Sequence, residues 1–284
     1  MCSITIVTPT YNRALLVQTT INSILNQTYK DWELIIVDDG STDDTEQAIQ
    51  PFLKDTRIHY LKKANTGQAH SLNVGVSKAN GQFITFLDSD DEAYPHWLEV
   101  ASSMMKEDTG IICMGAVRKY LNGQLVREGL KEYKLFGKVM RLKFTCGSLF
   151  IRRTVFDAVG GYDTMLKCNT QTDLGYRLLE YLQSADLQVV TSEDCLVQIN
   201  IHDGARIRTN WQKTRDGGIQ FINKHYDFIR GNDPKEISNI YASIAFSSYK
   251  MKDRAESIRF LVKAIRHNPA RWINYMRILK YALT

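Results

Sequence analysis

The sequence predicts an α/β fold, with a mostly parallel central sheet flanked by helices, followed by a C-terminal α-helical extension. Three observations carry this expectation. Strand-like and helix-like segments alternate through the first third of the chain, carboxylates recur where strand patterns end, and helical periodicity runs almost unbroken from Asn210 onward. The chain has 284 residues, 44% of them hydrophobic, which is enough to bury a sizeable core.

The elements follow in order. Residues 4–8 read as a strand, 14–25 as a helix, 33–37 as a strand, 42–53 as a helix, 57–61 as a strand, 67–78 as a helix opened by Gly67, and 82–87 as a strand. In a wound sheet the ligand crevice lies beyond the carboxyl ends of the strands, so the segments 8–12, 38–41 and 88–91 are expected to converge there. Next come a helix over 95–106 and a strand over 110–117. Residues 119–143 have mixed patterning, compatible with a hairpin or an acceptor loop. Residues 145–151 are strand-like, 173–182 helical, and 187–191 and 195–201 look like two closing strands.

The last 75 residues or so predict three helices, broken at Gly231-Asn232-Asp233-Pro234 and at Asn268-Pro269, where proline suits a helix start. Residues 242–272 have the look of a tetratricopeptide unit, with small residues at Ala242, Ala245, Ala255 and Ala264. One such unit cannot bury both its faces, so it must pack on the preceding domain, pair with another chain or lie on a membrane. The expected division is a domain over 1–208 and a basic helical extension over 209–284.

Charge is distributed unevenly. The whole chain carries 36 Lys/Arg against 31 Asp/Glu; residues 205–284 hold 16 against 6, a balance of +10, which leaves 20 − 25 = −5 for the first 204. No stretch reaches the roughly 18 to 20 apolar residues of a membrane span. Met1-Cys2-Ser3-Ile4 runs directly into a strand pattern, so no secretory signal is visible and a cytoplasmic protein is expected. The five cysteines are odd in number and widely separated, as reduced thiols are. The tail's cations, interleaved with Trp272, Tyr275, Met276 and Tyr281, read either as a solvated face over a packed stripe or as a surface for anionic lipid at the inner face of the membrane. A homodimer through these helices is the other partner considered. Nucleic acid is not expected, because the charge sits apart from any recognised module.

Val7-Thr8-Pro9-Thr10-Tyr11-Asn12-Arg13 is followed by Val37-Asp38-Asp39-Gly40-Ser41-Thr42-Asp43, Asn65-Thr66-Gly67, Leu72-Asn73, Ala79-Asn80-Gly81 and Phe86-Leu87-Asp88-Ser89-Asp90-Asp91. In this order and spacing they resemble the opening of family 2 glycosyltransferases with the GT-A fold, a Rossmann-like arrangement. A lone Asp-Ser-Asp would be weak, whereas several coupled matches over about 90 residues are specific.

The chemistry of each piece can be stated separately. A nucleotide base needs an acceptor for its imide hydrogen and a flat apolar face; Asp39 supplies the first, and Pro9 with Tyr11 the second. Uracil fits this better than adenine. The resemblance implies Pro9, Tyr11 and Asp39 as uridine contacts, with Asp38 and Asn65 as second choices and Thr8 at the same strand end. Standing alone, residues 38–43 would read as a turn and helix N-cap.

Asp88 and Asp90 project to the same side of an extended chain end, where they suit a hard divalent cation, Mn²⁺ or Mg²⁺, held against a diphosphate. Such an ion neutralises charge on the departing nucleoside diphosphate. Asp90 is assigned to the metal, Asp88 to ribose or metal, and Asp91 to support.

Inversion requires one general base near the acceptor hydroxyl. The candidate is Asp173, in Gln171-Thr172-Asp173-Leu174 after Gly160-Gly161-Tyr162-Asp163, which resembles the family's glycine-glycine-aromatic-acid turn and acidic helix start. The family usually shows Glu-Asp here; this chain has Thr172 before the aspartate. A charge at a helix N-terminus is the plainer alternative for Asp173. Gly147 and Ser148 resemble a small-residue strand that, in the family, lets donor sugar and acceptor approach the backbone; alone, Gly147 would read as a bulge. His202 resembles the late family histidine that touches metal or diphosphate, and Arg206 and Arg208 are candidate phosphate clamps. Leu72 stands where many relatives carry arginine.

The function expected is transfer of a sugar from a nucleoside diphosphate, UDP in first place, to the hydroxyl of a glycan or lipid-linked acceptor in cell-surface glycan synthesis. A nucleotidyltransferase would show a glycine-rich, basic phosphate loop near the first strand, and a dehydrogenase a Gly-x-Gly-x-x-Gly turn that Thr8-Pro9-Thr10-Tyr11 cannot provide. A non-catalytic sugar-nucleotide-binding protein of the same fold is the alternative from another class.

Overall fold

Every residue of β1 (Ile4–Thr10) is buried, because helices cover both faces of the sheet in which it lies. The side chains of Ile4 and Ile6 join Val17, Ile21 and Ile24 of α1 (Ala14–Leu25) in the main core, together with Leu34 and Ile36 of β2 (Trp32–Asp38). Val7 points the other way, towards α3 (Gln68–Ser77), as strand alternation requires. Gly75 of α3 lies so close that a Cβ there would sit 2.3 Å from a Val7 methyl, and this close approach is why the helix carries glycine. Strands covered on both sides read as continuous apolar runs, which is how β1 and β2 read.

The computed structural model describes residues 2–201 and 210–283. After β2 the chain forms α2 (Thr45–Ile49) with a 3₁₀ continuation (Gln50–Lys54), then β3 (Ile58–Lys62), α3, β4 (Phe83–Phe86), β5 (Glu92–Ala93) and α4 (Trp97–Ser103). The long β6 (Thr109–Lys119) follows, then β7 (Leu125–Glu128), β8 (Lys131–Leu135), β9 (Lys138–Leu142), β10 (Leu149–Arg152), α5 (Arg153–Ala158), α6 (Thr170–Ser184) and β11 (Gln188–Asn200). The tail contains α7 (Trp211–Asn232), α8 (Pro234–Lys250), α9 (Arg254–His267) and α10 (Ile273–Leu283).

Strand order is β3-β2-β1-β4-β10-β6-β11-β5, with β7 paired to β6. The first four neighbours are all parallel, as the β-α-β alternation predicts. β10 then runs antiparallel between β4 and β6, and β11 is parallel to β6. Several expectations are corrected here. The two closing strands are one strand, because Glu193 and Asp194 bulge out after Ser192, which pairs Met114, and pairing resumes at Cys195 opposite Gly115. The unassigned stretch holds β7 and the β8–β9 hairpin, whose turn places Phe136 and Gly137 at positive φ. The tail has four helices among the described residues rather than three. The extra break is at Lys252, which takes a left-handed φ of 63°, while Asp253 caps α9 through the N–H of Glu256.

The chain divides into two units. The first comprises the described residues of Met1–Lys131, Arg141–Thr164 and Leu174–His202 and contains the large sheet. The second is more than the tail: Glu132–Met140 and Met165–Asp173 belong with the described residues of Asp203–Thr284. Local contacts explain the recruitment. The N–H of Phe136 donates to Asn232 Oδ1 at 2.6 Å, that of Lys167 donates to Gln220 Oε1 at 3.1 Å, and Gly217 lies against Cys168. Within this unit α8 and α9 pack against one another. Ala242, Ala245 and Ala264 are buried, but Ala255 is exposed and Ser257 takes the close position, donating to the Ala245 carbonyl at 2.8 Å.

Candidate active site

In the sheet unit, hydrogen bonds tie the loops after β1, β2, β3 and β4 to one another. The N–H of Asp39 donates to the Thr10 carbonyl at 2.8 Å, that of Asn12 to Ser41 Oγ at 2.9 Å, and that of Thr42 to Asn12 Oδ1 at 2.8 Å. Asn12 adopts φ 52°, a left-handed conformation that asparagine tolerates. The strand-end segments therefore meet at one edge, as the topology requires.

Asp38 and Asp39 do different work. Asp38 is fully buried, its Oδ1 accepting from Ser41 N–H and its Oδ2 from Tyr60 hydroxyl, both at 2.7 Å. Burial and then the Asp38 carboxylate push the Tyr60 pKa up. Asp38 thus holds the loop. Asp39 gathers the β3–α3 connection: Lys63 Nζ and the N–H of Thr66 (2.9 Å) reach Oδ1, and the N–H of Gly67 (2.8 Å) reaches Oδ2. Burial raises the Asp39 pKa, but these donors outweigh it and hold the carboxyl below its ordinary value. Three donors leave about one of the four lone-pair sites of a carboxylate for a further hydrogen bond. Gly40 is required beside it, with φ 80° and Lys63–Asn65 backbone packed against it. Tyr11 is half exposed at the same strand end and Asn65 is exposed, whereas Pro9 is buried within β1. The buried hydroxyls of Thr8 and Thr10 make no hydrogen bond with protein groups among the described residues.

The second group stands after β4. Carboxylate oxygens of Asp88, Asp90 and Asp91 lie within 4.8 Å of one another. A turn from Asp88 carbonyl to Asp91 N–H, 3.0 Å, sets their spacing. Gln68 Nε2, from the first turn of α3, donates to Asp88 Oδ1 at 2.8 Å. The Arg13 guanidinium lies 4.0 Å from Asp90 Oδ2. Asp91 is buried, and its Oδ1 accepts from the N–H of Asn200 at 2.9 Å while Asn200 Nδ2 donates to the Asp90 carbonyl at 2.8 Å. Burial, then the neighbouring Asp88, push the Cys146 thiol well above its usual range.

Other matched pieces serve architecture. Asn73 Oδ1 accepts from the N–H of Tyr162 and its Nδ2 donates to the Tyr162 carbonyl, both at 2.9 Å, which locks the Gly160-Gly161 turn to α3. Leu72 lies on the buried face of α3. Gly147 adopts φ 76°, a Cβ there would meet Val197 at 2.7 Å, and its carbonyl accepts from Trp97 Nε1 at 2.8 Å. Ser148 is buried beside Thr145 Oγ1, 2.9 Å away.

Asp173 stands in the first turn of α6 and is fully buried. Lys224 Nζ and His225 Nε2, both on α7, approach its Oδ1 at 2.7 and 2.8 Å. Sequence reasoning passed over these partners, and also Arg13, Lys63, Gln68 and Asn200. Lys63 had a local signal, standing directly after a strand end, and Arg13 closes the matched segment 7–13. His202, Arg206 and Arg208 lie outside the described residues.

Residues 5–163 match the family described as Glycosyl transferase family 2. The chain is 43% identical over 95 residues to the Campylobacter jejuni GalNAc(5)-diNAcBac-PP-undecaprenol beta-1,3-glucosyltransferase, which covers 32% of this chain and 31% of that protein. The solved structure of Staphylococcus aureus TarS 1-349 with UDP-GlcNAc superimposes with TM-score 0.65 at 18% identity, covering 95% of this chain and 82% of that one. Mannosyltransferase PcManGT of Pyrobaculum calidifontis, with GDP-Man and Mn²⁺, gives TM-score 0.60 at 14% identity, covering 99% and 84%. The chain spans less than half the length of several curated relatives it matches, 16% to 42%. The match over more than half the sequence, together with the strand order and strand-end carboxylates, places the chain in glycosyl transferase family 2, with the GT-A fold.

Proposed function

We propose that the chain transfers a sugar from a nucleoside diphosphate, a UDP-sugar, to an acceptor hydroxyl with inversion at the anomeric carbon. The acceptor in this reading is a glycan or lipid-linked sugar in cell-surface glycan or polysaccharide assembly, on the cytoplasmic side of the membrane. The observation that carries it is the meeting of Asp88, Asp90 and Asp91 within 4.8 Å, at the edge where Asp39 and Tyr11 also stand. Support comes from the UDP-GlcNAc bound by TarS and the undecaprenol-linked substrate named for the C. jejuni relative.

The donor set fits a hard divalent cation, since all its atoms are carboxylate oxygens. Asp90 and Asp88 would hold Mn²⁺ or Mg²⁺, and Asp91, fixed by Asn200, would keep the turn in shape. Such an ion, when bound, neutralises charge on the departing diphosphate. Asp39 would accept the uracil imide hydrogen on its remaining lone pair, Tyr11 would stack on the base, and Thr8 would serve the nucleotide from the strand end. Asp38 and Asn65 would shape that pocket; Gly147 and Ser148 would leave room for the sugar. His202 and the arginines Arg206 and Arg208 would serve the diphosphate.

In this reading Asp173 takes the acceptor proton. Its complete burial beside Lys224 and His225 favours a second reading, a sugar-nucleotide-binding protein without transfer. UDP release from UDP-glucose, UDP-galactose and their N-acetyl forms with Mn²⁺ decides between them. Release that Asp90→Asn and Asp173→Asn both abolish upholds transfer. A UDP-induced rise in melting temperature with no release from any donor leaves only binding, and no rise at all overturns both readings.

A further inference from the structure

In the second unit α10 is turned inside out. Its buried side chains are polar or amphipathic: Asn274 Nδ2 donates to Ser238 Oγ at 3.4 Å, and Tyr281 stacks on Tyr249 with centroids 4.0 Å apart. Both contacts are to α8. The opposite face is apolar and open, with Trp272 70%, Met276 53%, Leu279 58% and Leu283 84% exposed. At about 100° per residue, positions 272, 276, 279 and 283 fall on one stripe within about 60° of arc. Trp272 belongs to it because its carbonyl accepts from the N–H of Met276, starting the first turn. Scattered exposed leucines are ordinary, but a continuous stripe on a helix already docked by its other face marks an interaction surface.

Charge selects the occupant. Residues 257–284 contain six cations, Arg259, Lys263, Arg266, Arg271, Arg277 and Lys280, and no Asp or Glu. Lys280 and Arg277 lie along one side of the stripe, while Arg271, ahead of the helix, donates to Asn239 Oδ1 of α8. A second copy docking isologously would set this cationic segment against the same segment, which holds no Asp or Glu to offset the charge. An anionic bilayer surface neutralises them, takes the stripe into its acyl boundary, and accommodates Trp272 and the exposed Tyr275 at headgroup level. Among the described residues no helix is long and apolar enough to cross a membrane, so the helix would lie in the surface plane. We infer that the Trp272–Met276–Leu279–Leu283 face of α10 docks on an anionic lipid surface. This inference rests on the helix geometry and charge, and not on the transfer reading.

Co-sedimentation with vesicles tests it. The full chain pellets with vesicles of phosphatidylcholine plus phosphatidylglycerol, stays in solution with phosphatidylcholine alone, and is released by high salt. Met276→Glu with Leu279→Glu loses binding at unchanged melting temperature and unchanged UDP release from a soluble donor, because both side chains are exposed. Arg277→Glu with Lys280→Glu weakens binding by about tenfold or more. Absence of binding to the anionic vesicles overturns the inference, as does equal binding by the Met276/Leu279 variant. A dimer in solution that this variant dissolves shows instead that a second copy is the occupant.

Discussion

The Nε2 of His225 lies 2.8 Å from Oδ1 of Asp173, and Lys224 Nζ lies 2.7 Å from the same oxygen. Two consecutive residues of α7 thus converge on one buried carboxylate. Removing a charged partner from a buried pair typically costs about 3–5 kcal/mol, because the other charge stays behind.

If Asp173 is the base, Asp173→Asn lowers sugar transfer about 10²–10⁴-fold while UDP affinity holds. His225→Ala keeps the Lys224 pair and destabilises by about 1–3 kcal/mol. Thermal unfolding and single-donor kinetics read the two effects separately. Parallel loss of stability and of rate in both variants would show that Asp173 only supports packing.

Asp90→Ala should abolish the stabilisation that Mn²⁺ adds to UDP binding, while leaving the protein without ligands within about 0.5 kcal/mol of the parent. Asp91→Asn acts one step removed, through the Asn200 contact, and weakens Mn²⁺ about 10–100-fold. Calorimetric titration with Mn²⁺ and UDP measures both. Unchanged Mn²⁺ affinity in Asp90→Ala would remove the cluster from the metal site.

Acid stability follows from Glu128. The Arg118 hydrogen bond, opposed by burial and reinforced by Lys143, holds its pKa at about 2 against an ordinary 4.5. A carboxyl depressed in the fold stabilises fully above its unfolded value, and that contribution drains away as pH falls from 4.5 through about 2. Asp39, also depressed, acts with the same sign. Melting temperature should therefore fall across this window. Glu128→Gln should lower it at neutral pH and flatten the acid limb; a limb of unaltered slope would refute the assignment.

Gly147→Ala meets two obstacles, a left-handed φ of 76° and Val197 carbons 2.7 Å from the new methyl. A loss of about 1–3 kcal/mol is expected from the backbone alone, with the clash adding to it. Adding Val197→Ala removes the clash but not the backbone strain. Denaturant unfolding of the single and double variants should show partial recovery, and complete recovery would mean that φ carries no cost.

Much of the sheet unit is legible from local pattern. The residue range read for α1 coincides with the observed helix, and Asp38, Asp39, Asp88 and Asp90 stand at the strand ends where they are expected. These features depend on period and on chain order, which neighbouring residues express directly. The break at Lys252 was invisible because it uses neither proline nor glycine, and the bulge in β11 split one strand into two because polarity interrupts the pattern without ending the pairing.

The sequence by itself determined the β-α-β winding, the family and the positions of the acidic loops, all consequences of short-range periodicity. Only the tertiary structure decided which carboxylates are tied up by partners and which helix face is left open. His225 sits in the buried series Phe221, His225, Ile229 and reads as a core residue until Asp173, 52 positions earlier, is seen against it. Hydrogen bonds between distant segments depend on packing distances that no local pattern encodes, and the outward apolar stripe of α10 has the same spacing as an inward one.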